Sequence, residues 1–156
     1  LYTKSLNGLI VKFWKVYGIE KDMEKAHVIT DFIRKGFETG VIDMMTDGTE
    51  AREFLYAEDC CEALETVMGN YDRLNSDDEL HITTGSHTTI LEIAEIIKRL
   101  FSNIGKEVVI QPAESKDEVQ KDARNVPDPY IQKLWKSKTS VKEGITKVFE
   151  EMKKDF

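Results

Sequence analysis

The sequence predicts an α/β or α+β protein, in which short strands alternate with helices. Two observations carry this prediction. Short apolar runs rich in β-branched or aromatic residues recur along the chain, and amphipathic segments of helical length separate them. Glycine and Asp-Gly turns mark the ends of several of these segments. Such an alternation favours parallel strand pairing, and the 156 residues fit a single domain.

The first half of the chain contains three predicted strands and two predicted helices. The strands cover residues 9–14, 41–45 and 54–56. One helix precedes Gly40, which stands where a helix C-terminus is expected, and its apolar residues recur at helical spacing: Val28, Phe32, Ile33 and Phe37. The other begins near Glu58 and Asp59, whose charges suit a helix N-terminus. We expect its buried face to contain Cys61, Leu64, Val67 and Met68.

The second half continues the alternation with strands at residues 80–84 and 108–110. Two helices are predicted to begin with capping boxes, at Thr89 with Glu92 and at Ser140 with Glu143. We expect them to bury Ile93, Ile96, Ile97 and Leu100 in the first helix, and Ile145, Val148, Phe149 and Met152 in the second. Between them, residues 113–129 are charged and irregular, which is typical of a functional loop.

Composition excludes several classes of function. The net charge of −7 is spread along the chain and leaves no broad cationic surface for a nucleic acid. No apolar run approaches the roughly 20 residues of a membrane span, so we expect no membrane partner. Cys60 and Cys61 lack metal-site spacing and are predicted to be reduced thiols, which fits a cytoplasmic location. The three histidines likewise match no metal signature, so no metal site is predicted.

Arg52 is the strongest candidate for binding a ligand. It follows an Asp-Gly turn and stands at the head of the strand 54–56, where its side chain can face a cleft. A guanidinium group held by a strand can bind a phosphate at two points. From the local residues alone, a surface arginine paired with Glu50 or Glu53 remains open as the alternative.

Four segments, in order, resemble the extended short-chain dehydrogenase/reductase family of NAD-dependent nucleotide-sugar epimerases and dehydratases. Residues 11–18 are similar to its Arg-x-x-Asn-x-Tyr-Gly-Pro segment, and residues 42–59 to its Ile-x-Val-x-Gly-Asp-Gly-x-x-x-Arg-Asp-Phe-x-Tyr-Val-x-Asp segment. Residues 80–97 and 134–145 resemble two later segments of the family. The resemblance implies the substrate-binding part of such an enzyme, with a nucleotide-diphosphate sugar as its ligand.

The resemblance also implies roles for four residues. Arg52 matches the arginine that holds the substrate diphosphate. Ile42 and Met44 match a strand whose backbone lies against the nucleotide base, although core packing remains an alternative for both. Lys15 stands where the family has an asparagine, so it keeps a positive charge for an anion but loses the amide. A second family arginine has no clean match, because the chain offers only Lys116 and, later, Arg124.

The motifs that hold the cofactor and perform catalysis in this family do not occur here. The chain contains no Gly-x-x-Gly-x-x-Gly, and its formal Tyr-x-x-x-Lys, Tyr17 with Lys21, includes Gly18 and leads into a charged loop. We therefore predict no catalytic residue, no NAD or NADP bound by this chain alone, and a cofactor portion belonging to a longer parent. The strands near 9–13 and 80–83 would then have unpaired edges and lead to self-association. The alternative is a non-enzymatic α/β module that binds a ligand or a protein.

Overall fold

A computed structural model describes residues 8–20, 22, 26–74, 79–117 and 127–156. Strands and helices alternate along these residues, as predicted. The strands are β1 (Ile10–Phe13), β2 (Lys15–Tyr17), β3 (Val41–Asp43), β4 (Ala51–Arg52), β5 (Phe54–Tyr56), β6 (Glu79–Ile82), β7 (Thr88–Thr89) and β8 (Val109–Gln111). The α-helices are α1 (Val28–Glu38), α2 (Ala57–Gly69), α3 (Ile90–Asn103) and α4 (Val141–Met152), and short 3₁₀ helices cover Tyr71–Arg73, Pro129–Lys133 and Lys153–Asp155.

The described strands form four two-stranded pairs. Three pairs are parallel, β1 with β6, β2 with β5 and β3 with β8, and each joins strands that are distant in sequence. The fourth, β4 with β7, is antiparallel and places Arg52 opposite Thr88. The predicted parallel pairing is therefore confirmed, and a short antiparallel pair, which the sequence did not predict, brings Arg52 to the start of α3.

Local sequence signals explain where the helices begin and end. Thr89 and Ser140 form complete capping boxes with Glu92 and Glu143, so the side chain and the backbone of each pair satisfy each other at the helix start. Gly40 follows the last turn of α1 with a φ of 71°, a conformation that glycine adopts without a steric penalty. All three predictions are confirmed.

Two clusters of buried side chains hold these elements together. The larger cluster lies among α1, α3, α4 and strands β2, β3 and β5, and it contains the fully buried Phe101 and Phe149. The smaller cluster joins β6 and α2 to the 3₁₀ helix Pro129–Lys133 through Leu55, Ile131 and Trp135. Arg52 and its neighbours lie beside the larger cluster, which therefore fixes the backbone around them.

Two predictions about the elements were wrong in detail. The apolar run at residues 9–14 is interrupted at Trp14, because β1 pairs with β6 while β2 pairs with β5. In α2 the buried residues are Asp59, Cys60, Ala63 and Val67, whereas Cys61 is exposed and Met68 is 75% exposed. The buried face of α2 differs from the predicted face because the carboxylate of Asp59 faces inwards, where it accepts four hydrogen bonds.

Glu53 fixes the turn that follows β6. This buried carboxylate accepts hydrogen bonds from the Thr83 hydroxyl and, at 3.2 Å, from the backbone N–H of Gly85, and His87 Nδ1 lies 3.8 Å from its other oxygen. Burial raises the pKa of Glu53. Gly85, within this turn, has a φ of 73°. The turn is thus held by a side chain from β4–β5 as well as by its own backbone.

Candidate functional site

A cavity of about 460 Å³ lies between α1, β2, β4 and the segment after β3. Its volume is within the range of pockets that bind small molecules. Aromatic and aliphatic side chains line part of its wall, among them Phe32, Phe54 and Ile90. Charged side chains line the rest, and the cavity therefore offers both apolar surface and ionic contacts.

The alternation of side chains along an extended backbone places Arg52 in this cavity. Glu50, Arg52 and Phe54 all line it, whereas the intervening Ala51 and Glu53 are buried on the opposite side. The pairing of β4 with β7 continues to Glu50, whose carbonyl accepts a hydrogen bond from the backbone N–H of Ile90 at 3.1 Å. The strand therefore places the Arg52 side chain at the cavity wall.

Arg52 forms an ion pair within the molecule. Its Nη2 donates a hydrogen bond to Oδ2 of Asp117, and both side chains are largely buried, with 20% and 17% of their surface exposed. The pairing with Glu50 or Glu53 that the sequence left open does not occur. Asp117 is 65 residues away along the chain, and it lies in the charged loop at residues 113–129.

Lys15 and Arg52 line the same cavity, as a shared anion-binding role requires. The start of β2 fixes Lys15, because its N–H donates to the Glu53 carbonyl at 3.1 Å. Within the described part of the chain, the Lys15 ammonium forms no ion pair with any carboxylate. The structure thus places a lysine without a described counter-ion and a paired arginine around one space.

Lys35 also lines the cavity, but two carboxylates neutralise its ammonium group. Its Nζ lies 3.0 Å from both Asp31 Oδ2 and Asp43 Oδ1, and it donates a hydrogen bond to the Asp43 carbonyl. The Lys35 ammonium holds the pKa of Asp43 below its usual value. Lys35 therefore braces the end of β3 against α1, and Lys15 is the lysine of this cavity without a described counter-ion.

Ile42 and Met44 do not line the cavity with their side chains. Both are buried in the larger cluster, at 0% and 6% exposure. Their neighbours Asp43 and Met45 line the cavity instead, because successive side chains of an extended segment alternate in direction. The core packing that the sequence left open is observed for both side chains, and a role of this backbone in binding a base stays a prediction.

Glu50 is a cavity residue that the sequence considered only as a partner for Arg52. Thr46 Oγ1 donates to its Oε1 at 2.7 Å. The other carboxylate oxygen, Oε2, is buried and has no hydrogen-bond partner among the described residues. Its spacing of two residues from Arg52 on a strand is the signal that could have identified it, since such residues share a face.

Tyr17 lines the cavity, but its hydroxyl group is occupied elsewhere. The hydroxyl donates to the carbonyl of Val141 at 3.3 Å, and burial raises its pKa far above the usual range. A general base needs a pKa near the working pH. These contacts favour a packing role for Tyr17; Lys21, Asp77, Asp78 and Arg124 lie outside the described residues.

The glycines of the described residues bear on a dinucleotide cofactor. Such a cofactor needs a glycine-rich turn between a strand and a helix, where backbone N–H groups can approach its diphosphate. The described turns with positive φ at glycine are Gly40, Gly48, Gly85 and Gly105, and none belongs to a cluster of glycines. The described residues contain no such glycine-rich turn, and we assign none of them to NAD.

The part of the chain that the structure describes contains no helix that is both long and apolar enough to cross a bilayer.

Comparison with known proteins identifies related sequences. The profile of the NAD dependent epimerase/dehydratase family matches residues 2–83. The chain is 31% identical to a putative UDP-glucose 4-epimerase from Methanocaldococcus jannaschii, over 92% of this chain and 45% of that protein. It is 28% identical to a GDP-L-fucose synthase from Sinorhizobium fredii, over 83% of this chain and 41% of that protein. The chain thus spans less than half the length of these relatives.

A solved structure supports the fold assignment. UDP-glucose 4-epimerase from Thermotoga maritima, determined with UDP-glucose, superimposes with a TM-score of 0.74 and 22% identity. The match covers 99% of this chain and 49% of that protein. The predicted α/β architecture is therefore confirmed.

Proposed function

Because the chain belongs to the NAD dependent epimerase/dehydratase family, we propose that its cavity binds the diphosphate group of a nucleotide-sugar. The observation that carries this proposal is the convergence of Lys15 and Arg52 on one cavity, which also has apolar walls. A guanidinium group and an ammonium group suit a diphosphate, because both form charge-assisted hydrogen bonds with its oxygens. The apolar wall suits a base or a sugar ring.

Arg52 is proposed to bind the diphosphate directly, and Lys15 to supply a second positive charge. The backbone of residues 42–44 is proposed to lie beside the base, with the side chains of Asp43 and Met45 at the cavity wall. The relatives include proteins named for UDP-glucose and GDP-L-fucose, which makes uridine and guanosine diphosphate sugars the first ligands to test.

The proposal extends to a longer parent protein. In that protein, NAD or NADP would accept and return a hydride, and the cofactor would be held by residues outside this chain. The present residues would then bind and orient the substrate, with no catalytic group of their own. A cytoplasmic location stays a prediction. The free thiols of Cys60 and Cys61 are consistent with it.

Isothermal titration with UDP-glucose, GDP-fucose and CDP-glucose tests the binding proposal. We expect at least one of them to bind the wild-type chain, and Arg52→Ala to weaken that binding by about tenfold or more, since a hydrogen bond to a charged group is lost. Lys15→Ala should produce a smaller loss. Arg99→Ala is the matched control, because Arg99 is an exposed arginine on α3 that does not line the cavity.

Two outcomes would contradict the proposal. Equal losses in Arg52→Ala and Arg99→Ala would show that the effect is one of net charge. No binding of any of the three nucleotide-sugars would favour the alternative of a module that binds proteins or other ligands. Circular dichroism of each variant separates a loss of binding from a loss of structure.

A further inference from the structure

Glu50 presents an unsatisfied hydrogen-bond acceptor beside the proposed diphosphate position. The buried Oε2 has no partner among the described residues, although Oε1 accepts from Thr46 at 2.7 Å. A buried carboxylate oxygen without a donor is costly, and native structures rarely keep one without a role. The cavity that Glu50 lines is the place from which a donor can come.

Arg52 does not neutralise this carboxylate. The guanidinium pairs with Asp117, and no ion pair within 4 Å joins it to Glu50. Lys35 is held by Asp31 and Asp43. Among the described residues, no cation forms an ion pair with Glu50, whose side chain lines the cavity.

The chemistry of a carboxylate limits what can bind to it. An ionised carboxylate only accepts hydrogen bonds, and it repels a phosphate group. The complementary group is therefore a neutral donor, and in a nucleotide-sugar the donors next to the diphosphate are hydroxyls. They belong to the ribose on one side and to the hexose on the other.

The distance along the strand fits this assignment. Residues two apart on a strand are separated by about 6.6 Å. Glu50 and Arg52 are such a pair and face the same cavity. A ring attached to a diphosphate that Arg52 holds can bring a hydroxyl to a group at this separation.

We infer that Glu50 selects the ligand by accepting a hydrogen bond from a hydroxyl next to the diphosphate. This inference rests on the proposed function, because it takes the diphosphate position from Arg52. It assigns to the cavity a preference for a particular hydroxyl pattern, which Lys15 and Arg52 cannot supply. If the hydroxyl is that of the ribose, the site favours ribonucleotide sugars over deoxyribonucleotide sugars.

A double-mutant cycle between protein and ligand tests the inference. UDP-glucose and GDP-fucose are titrated into wild type, Glu50→Ala and Glu50→Gln, each with its 2′-deoxyribose, 3′-deoxyribose and 2-deoxyhexose forms. In wild type, we expect loss of one hydroxyl to weaken binding by about ten- to hundredfold, which is the range for a hydrogen bond to a charged group. In Glu50→Ala the same ligand change should have almost no effect.

The pattern of losses identifies the hydroxyl and separates the two proposals. A loss confined to the ribose analogues assigns the contact to the ribose, and a loss confined to the deoxyhexose analogue assigns it to the sugar. Equal losses in wild type and Glu50→Ala, or none in either, would overturn the role of Glu50 while leaving the diphosphate site intact. Absence of binding to wild type by every ligand would overturn both.

Two further variants keep the experiment interpretable. Glu50→Gln preserves the size of the side chain and one carbonyl acceptor, so it should fold as wild type and show a reduced coupling. Glu65→Ala removes an exposed glutamate of α2 outside the cavity and should retain the full hydroxyl preference. A lost preference in Glu65→Ala would contradict a local role for Glu50.

Discussion

Asp117 provides the guanidinium of Arg52 with an internal counter-ion. Both side chains are mostly buried, so the pair is shielded from solvent and salt more than a surface ion pair is. A diphosphate that binds Arg52 has to compete with this carboxylate. The ion pair between Arg52 and Asp117 therefore lowers the affinity that Arg52 can give to a diphosphate ligand.

Replacing Asp117 should change the affinity for a nucleotide-sugar. We expect Asp117→Asn to tighten binding by about two- to fivefold, because a neutral amide competes with a diphosphate for Arg52 less than a carboxylate does. Isothermal titration with UDP-glucose and GDP-fucose measures the change, and Glu114→Gln, an exposed residue of the same loop, serves as control. Weaker binding by Asp117→Asn would instead show that this side chain contacts the ligand.

Asp59 is a further buried carboxylate, and its role is structural. It accepts hydrogen bonds from the Ser137 hydroxyl, from the N–H groups of Lys138 and Thr139, and from the Thr139 hydroxyl. Burial acts to raise the pKa of Asp59, but these hydrogen bonds outweigh it and leave the pKa below its usual 3.8. The carboxylate thus joins the first turn of α2 to the segment before α4.

Removal of this carboxylate should destabilise the fold. We expect Asp59→Ala to lower the free energy of unfolding by about 1–3 kcal/mol, because it leaves buried N–H groups without an acceptor. Urea unfolding at neutral pH measures the difference. Glu65→Ala, on the exposed face of the same helix, should change stability by less than about 0.5 kcal/mol. Equal effects of the two variants would contradict the proposed connection.

The stability that Asp59 contributes should also depend on pH. Since its folded pKa is lower than its unfolded pKa, the contribution is complete above the unfolded value of 3.8 and is lost as the pH falls through the lower folded value. The difference in unfolding free energy between wild type and Asp59→Asn should therefore be constant near neutral pH and shrink below about pH 3.8. A difference that stays constant at lower pH would exclude this linkage.

At the scale of elements, α4 shows how a helix start and a glycine cooperate. Ser140 and Glu143 cap the helix, and Gly144 lies where a Cβ would clash with the Tyr17 hydroxyl. That hydroxyl donates to the Val141 carbonyl in the first turn of the same helix. Close approach of α4 to β2 therefore depends on a residue without a side chain.

Two substitutions separate the cap from the close approach. Ser140→Ala should cost about 1 kcal/mol of stability, the usual value for a lost N-cap. Gly144→Ala would normally favour a helix, but here we expect destabilisation because the new methyl group displaces Tyr17. Thermal unfolding by circular dichroism measures both, with Gly69→Ala as control, because no atom lies within 4 Å of a Cβ built there. Stabilisation by Gly144→Ala would contradict the packing argument.

The elements with strong local signals could be predicted from the sequence. The capping boxes of α3 and α4 are such signals, because each is complete within four residues. The buried face of α2 could not be predicted, since it depends on Asp59 binding residues almost 80 positions later. When a helix buries a polar residue such as Asp59, apolar periodicity alone does not identify its buried face.

The same distinction applies to the candidate site. Lys15 and Arg52 could be identified by their residue type and their place in family motifs, and the structure brings both to one cavity. The pairing of Arg52 with Asp117 could not be predicted, because it joins a strand to a loop 65 residues away. The side chains of Ile42 and Met44 face the core because strand alternation directs those of Asp43 and Met45 to the cavity.

At the scale of the whole molecule, the β1–β6 pair presents exposed apolar side chains. These two strands pair with each other and with no other described strand. Phe13, at the end of β1, is 51% exposed, and Ile10 at its start is 40% exposed. Unpaired strand edges with apolar side chains tend to bind further strands. The chain as it stands is therefore predicted to self-associate through this pair.

A charge placed on this surface should reduce the association. We expect light scattering after size-exclusion chromatography to show oligomers of the wild-type chain at high protein concentration. Phe13→Lys should raise the protein concentration at which oligomers form by about tenfold or more, because a lysine at a strand edge opposes the addition of another strand. Val109→Lys is the matched control, since Val109 is 54% exposed on β8. A monomeric wild type at every concentration would refute self-association, and an equal effect of both variants would place the contact elsewhere.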